Sequence, residues 1–336
     1  MTHTCLITGI TGQTGAYLAA CLLAAGQKVE GTSRTSSPNL WRLKHLGCED
    51  RVTVSTLSGT DPAQIDEIAS RRYDRIYHLA AESSVAASLQ NPRETVQANL
   101  YQTTCWLTSL RDHSPQTRFF NAVSSEILRA KPGLLNETSE RLATNPYAVT
   151  KSAAMEMARV FRESFGLYIV NGILFNHESE LRDARFVTGK IVANLCRMAD
   201  DPNAPAFELG NTDAQRDFSH AEDFARGIAA GLEAETAQDY IFASGRLSSV
   251  KDFFNIAARR LGFVPEWSGE GVDRICIDSI SGRILASINP QYYRPVDELS
   301  KAGDASRAKS DLSWNPKIKF DEMVGRMVAF HSQTGR

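Results

Sequence analysis

A glycine triplet near the start of the chain restricts the fold more than any other feature. Gly9, Gly12 and Gly15 follow a short apolar run at 5–8 and precede a helical pattern at 17–25 that closes on Gly26. Glycine permits a tight strand-to-helix turn and lets backbone come close to a pyrophosphate. The free N–H groups and positive dipole end of the following helix favour the same anion. A glycine triplet alone is a weak signal, but between a strand and a helix it predicts a dinucleotide-binding unit.

The pattern then alternates. Strands fit 28–33, 51–55, 75–79, 118–123, 168–174 and 240–243, and helices fit 62–71, 92–110 and 147–165. Pro62 and Pro92 stand at helix starts, where a missing N–H costs nothing. Alternation of this kind predicts an α/β fold, a Rossmann-type doubly wound parallel sheet covered on both faces. Beyond 175 the chain is less regular. Helices fit 187–198, 221–233, 250–261 and 320–330, while 210–217 and 269–282 read mainly as loops. We expect an NADP-binding core over 1–175, with 218–245 returning to it. A smaller C-terminal α/β substrate lobe is expected from 176–217 and 246–336.

Composition excludes several classes. A formal net charge of −2 over 336 residues gives no basic surface for nonspecific nucleic-acid binding. It leaves room for an anionic small molecule held by local Arg or Lys. Cys5, Cys21, Cys48, Cys105, Cys196 and Cys276 are scattered with no Cys-x-x-Cys pair, which argues for free thiols in a reducing cytoplasm. No apolar stretch is long enough to span a membrane, and no metal-ligand cluster is visible.

Cofactor choice turns on the end of the second strand. An acid there would hold the ribose hydroxyls of NAD; the chain has Ser33-Arg34, and a cation suits the extra phosphate of NADP, so NADP is expected over NAD. Tyr147 and Lys151 are four residues apart and share one helix face. The lysine charge is expected to favour the Tyr147 phenolate, making it a base near neutral pH. Ser124 ends the apolar strand pattern at a sheet's carboxyl edge, where its hydroxyl can hold the oxygen that Tyr147 deprotonates. Ser125 is expected to point away, with Glu126 returning to the side of Ser124. A carboxylate there can take a carbon-bound proton acidified by a neighbouring ketone.

These residues are similar to those of the extended short-chain dehydrogenase/reductases, and within them the GDP-mannose 4,6-dehydratase family. The resemblance runs over nearly the whole length. It is carried by 6–18 with the glycine turn, by 170–179 (Val-Asn-Gly-Ile-Leu-Phe-Asn-His-Glu-Ser) and by Phe186-Val187-Thr188. Leu209-Gly210-Asn211, Arg216-Asp217 and Tyr292-Tyr293-Arg294-Pro295 add to it. The resemblance implies catalytic roles for Ser124 (threonine in the family), Glu126, Tyr147 and Lys151. It implies cofactor contacts from Gly9, Thr11, Gly12, Gln13, Thr14, Gly15, Arg34, Leu79, Ala81, Ser83, His177 and Arg182, besides Tyr147 and Lys151. Asn176, Lys190, Asn211, Arg216 and Arg294 would hold a nucleotide-diphosphate sugar, GDP-linked by family, since a planar guanidinium suits a diphosphate. A homodimer or homotetramer is also implied, with residues 34–41 reaching a neighbour.

The chain departs from the family pattern at several places. An acid that meets adenine is lost in Thr56-Leu57-Ser58-Gly59, and a second arginine beside Arg34 is Thr35. Gly189 stands for an arginine, Gln215 for a lysine, and Glu180-Leu181 for a Pro-Arg pair. Residues 296–299 also differ. The implied reaction is loss of water from a sugar through internal hydride transfer, leaving a 4-keto-6-deoxy product. The rivals are a nucleotide-sugar epimerase or dehydrogenase of the same fold, which has no obligate use for Glu126, and a non-catalytic NADP-binding regulator.

Overall fold

The computed structural model of the chain describes residues 2–59, 61–293 and 300–335. Seven strands form one parallel sheet. From β1 (Thr4–Thr8) the sheet runs through β2 (Lys28–Ser33) to β3 (Thr53–Thr56) at one edge. On the other side it runs through β4 (Arg75–His78), β5 (Arg118–Ser124) and Ile169–Leu174 to Asp239–Phe242. Strand order reverses between β1 and β4, so a crevice opens beyond their carboxyl ends, where such sheets bind ligands.

Side-chain alternation explains how one sheet serves two cores. Ile7, Phe120 and Val170 enter the cluster on one face, with Ala16, Phe224 and Tyr240. Their chain neighbours Leu6, Phe119 and Ile169 enter the cluster on the other, with Ile65, Trp106 and Ala158. Both faces are covered, so β4 and Ile169–Leu174 are buried at every residue and read as unbroken strands. The helical pattern expected over 92–110 forms as Pro92–Val96 and Gln102–His113 joined by a π turn at Gln97–Tyr101.

A third core lies among helices Val187–Asp200, Val250–Arg260 and Phe320–Thr334, with Leu195, Phe253, Phe254, Leu285 and Met327 at its centre. It packs on a four-stranded sheet ordered Pro265–Ser268, Ile275–Asp278, Ile284–Ile288, Phe207–Leu209. Most of 269–282 and of 210–217 is loop and turn, as expected, but each also contributes to a strand, Ile275–Asp278 and Gln215–His220. These strands are short, and their pairing partners rather than a local apolar run create them. Asp278 accepts from Val264 N at 2.8 Å and Ser281 Oγ at 2.6 Å, which is turn chemistry at a strand end. All six thiols are free, five of them buried. No helix among the described residues is long and apolar enough to cross a membrane.

Candidate active site

β1 delivers the chain to Gly9, whose φ of +71° lies in the left-handed region open to glycine. Gly9 N donates to Thr32 O at 3.1 Å, tying the turn to β2, and Gly12 N donates to Gly9 O at 3.0 Å. A Cβ on Gly15 would collide with Gly9 O and lie 2.8 Å from Ile10 Cα, so the helix Gln13–Ala24 sits directly on the turn. Gly12, its N-cap, supplies no side-chain cap, and the first-turn N–H groups stay available to an anion.

The side chains of Gln13 and Thr14 point elsewhere. Gln13 Nε2 donates to His177 O at 2.9 Å, and Ser179 Oγ donates to Gln13 Oε1 at 2.8 Å. His177 Nδ1 lies 2.8 Å from Phe175 O; a carbonyl only accepts, so Nδ1 carries the proton and Nε2 accepts from Thr14 Oγ1 at 2.8 Å. Burial pushes His177 down to about 4, against the Phe175 carbonyl. Gln13, Thr14 and His177 all line the cleft, but their polar side-chain atoms brace the glycine turn from behind.

Thr11, Leu79, Ala81 and Ser83 line the same cleft. Thr8 Oγ1 accepts from Leu79 N and Ala80 N, both at 3.1 Å, which fixes the chain leaving β4. Arg34 is exposed at the rim. Arg42, which the motifs did not mark, also lines it. Its Nε donates to Leu181 O at 2.9 Å and its guanidinium to Thr11 O at 3.2 Å. Burial pulls Arg42 down. A short helix, Trp41–His45, carries it to the turn; only the folded path from β2 places it there.

β5 stops at Ser124, and Ser125–Ile127 forms a single 3-10 turn with Ser124 Oγ accepting from Glu126 N at 3.2 Å. The turn cancels the expected alternation, and Ser124, Ser125 and Glu126 all line the cleft. Helix Pro146–Phe165 begins with Asn145 accepting from Ala148 N at 2.9 Å. Tyr147 and Lys151 face inward from its first turns and are buried. Burial pushes Tyr147 up to about 12; the Ser124 hydrogen bond opposes this, Glu126 adds to it, and Arg182 opposes it. Lys151 Nζ donates to Ala122 O at 2.8 Å, and burial pulls it down to about 8. The expected lowering of Tyr147 is therefore absent, because burial disfavours the phenolate more than the Ser124 bond and the Arg182 charge favour it.

Asn176, Lys190, Asn211 and Arg216 line this cleft too, whose volume is about 1710 Å³. Lys190 Nζ lies 4.6 Å from the Tyr292 ring centre, and Arg216 donates to Gln215 O at 2.8 Å. Arg182 pairs with Glu178 at 2.9 Å and stacks 3.6 Å from the Phe186 ring centre. Arg294 lies outside the described residues. Two departures have local causes. A Cβ on Gly189 would lie 2.6 Å from Asp183 O, so backbone occupies the space an arginine stem needs. Glu180 is half-buried; burial pushes its carboxyl up, but bonds from His220 and Tyr17 hold it at about 2. Neither Lys301, 3.7 Å from Glu126, nor Gln102, buried beside Gly59, had a motif to reveal it.

Comparison with known proteins gives the following. The family model described as GDP-mannose 4,6 dehydratase matches residues 6–327. The chain is 38% identical over 326 residues to GDP-mannose 4,6-dehydratase sdnI of Sordaria araneosa, covering 96% of this chain but 60% of that protein. It is 37% identical over 348 residues to the GDP-mannose 4,6-dehydratase of Vibrio cholerae serotype O1, covering 96% and 92% of the two chains. Among solved structures, UDP-glucose 4-epimerase of Thermotoga maritima superposes with a TM-score of 0.83 at 19% identity, covering 99% and 100% of the two chains. The dTDP-glucose 4,6-dehydratase of Streptomyces venezuelae gives 0.81 at 20%, covering 98% and 97%. At those identities the likeness is one of fold.

Proposed function

Because the chain belongs to the GDP-mannose 4,6-dehydratase family, we propose that it removes water from a GDP-linked hexose, GDP-mannose above all, leaving a 4-keto-6-deoxy sugar. One observation carries the reading: a single cleft joins the glycine turn to Ser124, Glu126, Tyr147, Lys151, Lys190 and Arg216. The core (1–175 with 218–245) takes the cofactor side in this reading. The segments 176–217 and 246–336 take the sugar-nucleotide side.

The turn fits a nicotinamide dinucleotide, since its backbone leaves no room for a Cβ at Gly15 and its helix start is uncapped. Backbone at Gly9, Thr11, Gly12 and Gly15 would meet the diphosphate, with Leu79, Ala81 and Ser83 alongside. NADP is the preferred form, because β2 ends in Ser33-Arg34 without an acid and Arg42 lines the same cleft. Arg182 stands toward the reacting end, and Lys151 would bond the nicotinamide ribose. Held there, an oxidised nicotinamide would supply the acceptor and then the donor for internal hydride transfer from sugar C4 to C6.

Tyr147 would remove the C4 hydroxyl proton as its phenolate while Ser124 holds that oxygen. Burial disfavours the phenolate, and the Ser124 bond, the Arg182 charge and the positive nicotinamide of a bound oxidised cofactor favour it. The resulting ketone acidifies C5–H, Glu126 takes that proton, and Glu126 passes it to the departing C6 hydroxyl, which leaves as water. The hydride and proton lost at C4 and O4 are balanced by gains at C6 and C5, so the net change is one water. Asn176, Asn211, Lys190 and Arg216 would fix the nucleotide diphosphate, which places C4, C5 and C6 within reach of these groups. Assembly as a dimer or tetramer is supported by Val96, Tyr101, Val149 and Val160, all exposed on the helices of 92–113 and 146–165. A reducing, cytoplasmic setting suits six free thiols.

The test is incubation with GDP- and UDP-sugars, read by mass. Loss of one water from GDP-mannose is expected, whereas an unchanged mass would favour an epimerase. Glu126→Gln should lower water loss at least about 100-fold while C4 oxidation persists. Undiminished dehydration in that variant would refute the role given to Glu126.

A further inference from the structure

A cation stands behind Glu126. Lys301 Nζ is 3.7 Å from Glu126 Oε2, with the lysine side chain 17% exposed. Glu126 lines the cleft and Lys301 is not among its lining residues, so the ammonium reaches the carboxylate from the protein side. Glu126 Oε1 has no hydrogen-bond partner among the described residues, which leaves that oxygen for a sugar.

The segment carrying Lys301 is pinned on both sides. Ser300 Oγ donates to Gln215 Oε1 at 3.2 Å. Ala302–Gly303 pair with Leu134–Leu135, and Asp304 N donates to Leu135 O at 2.7 Å. Gly303 N donates at 3.1 Å to Asp217, a fully buried carboxylate that also accepts from Ser244 N, Ser244 Oγ and Gly245 N. Asp217 is thus a clasp that brings this late segment against the turn after β5. Around the pair, Arg216 repels the Lys301 charge, and Tyr147 feels the Glu126 charge.

We infer that Lys301 is a positioning residue for the dehydration step, holding the Glu126 side chain where its free oxygen meets the C5 proton. This rests on the role proposed for Glu126. The turn carrying Glu126 is fixed through its backbone, by Glu126 N to Ser124 Oγ, Leu128 N to Ser125 O and Leu142 N to Ile127 O. None of these holds the carboxylate, so its long side chain needs another anchor. A misplacement of about 1 Å in a reacting group can cost about 100-fold in rate.

The experiment compares Lys301→Met, Lys301→Arg and Glu126→Gln in the full chain with NADP and GDP-mannose. It follows water loss by mass, C5 proton exchange in heavy water, and single-turnover C4 oxidation by the absorbance of reduced nicotinamide. Lys301→Met should lower kcat for water loss and C5 exchange in parallel, by about ten- to a hundredfold, with KM and C4 oxidation retained and Lys301→Arg restoring most of the rate. Retained C4 oxidation in the same sample reports a folded, cofactor-loaded site. Wild-type C5 exchange in Lys301→Met, with exchange lost in Glu126→Gln, would overturn the inference alone. An equal loss of C4 oxidation and C5 exchange would also overturn it, since the lysine would then merely support the fold. Normal exchange and dehydration in Glu126→Gln would instead remove the underlying role of Glu126, and this inference with it.

Discussion

Around Gly9 and Gly15 the cleft is lined by backbone braced from behind, through Thr14–His177 and Gln13–Ser179. Around Glu126 it is lined by side chains, and the carboxylate's anchor, Lys301, arrives from the far end of the chain. The first wall has almost no freedom, because close packing of backbone on backbone tolerates no added atom. The second depends on where remote segments dock. The difference teaches that cofactor grip and sugar chemistry can fail separately in this molecule.

The largest effect that would break the contrast is Gly15→Ala. Its methyl meets the Gly9 carbonyl and Ile10, which should cost about 1–3 kcal/mol of stability. It should also weaken cofactor binding about ten- to a hundredfold. Thermal unfolding and cofactor titration measure the two, and wild-type affinity in this variant would show that the backbone wall is not rigid. Arg34→Ala sharpens the contrast at the rim. It should weaken NADP about tenfold and leave NAD unchanged; equal losses for both would remove Arg34 as the reader of the extra phosphate.

The smallest effect is one of pH. Burial holds His177 at about 4 and His78 at about 3, both below the ordinary 6.5. Each binds its proton more readily when unfolded, so their contribution is complete above pH 6.5 and is lost as pH falls to about 4 for His177 and about 3 for His78. In the folded chain His177 takes its proton only near pH 4 and then can no longer accept from Thr14. Cofactor affinity should therefore hold while the unfolding midpoint begins to fall below pH 6.5, and decline only as pH approaches 4. Calorimetry and titration in parallel check this, and an affinity that stays level through pH 4 in protein that is still folded would detach the brace from the turn.

Much of the frame was legible because its signals are local. The glycine turn, the alternation of strands and helices, and Tyr147 with Lys151 at helical spacing each depend on neighbours within a few residues. The lobe was harder. Ile275–Asp278 carries too short a pattern to be told from a loop, and it becomes a strand only through Pro265–Ser268 and Ile284–Ile288. Ser124 and Glu126 line one cleft through a 3-10 turn, which the strand alternation in the sequence does not reveal. Arg42, Gln102 and Lys301 carry no motif, so no spacing argument reaches them.

The order of residues determined the parallel sheet, the turn at its first strand and the chemical groups available beyond its edge, since periodicity and backbone freedom are properties of short stretches. Tertiary structure alone decided which charges meet and how much water they keep. Tyr147 is pushed up to about 12 rather than lowered by its lysine, and Glu126 gains a cation from residue 301. Desolvation and ion pairing depend on everything packed around a group, and that is set only once distant segments have come together.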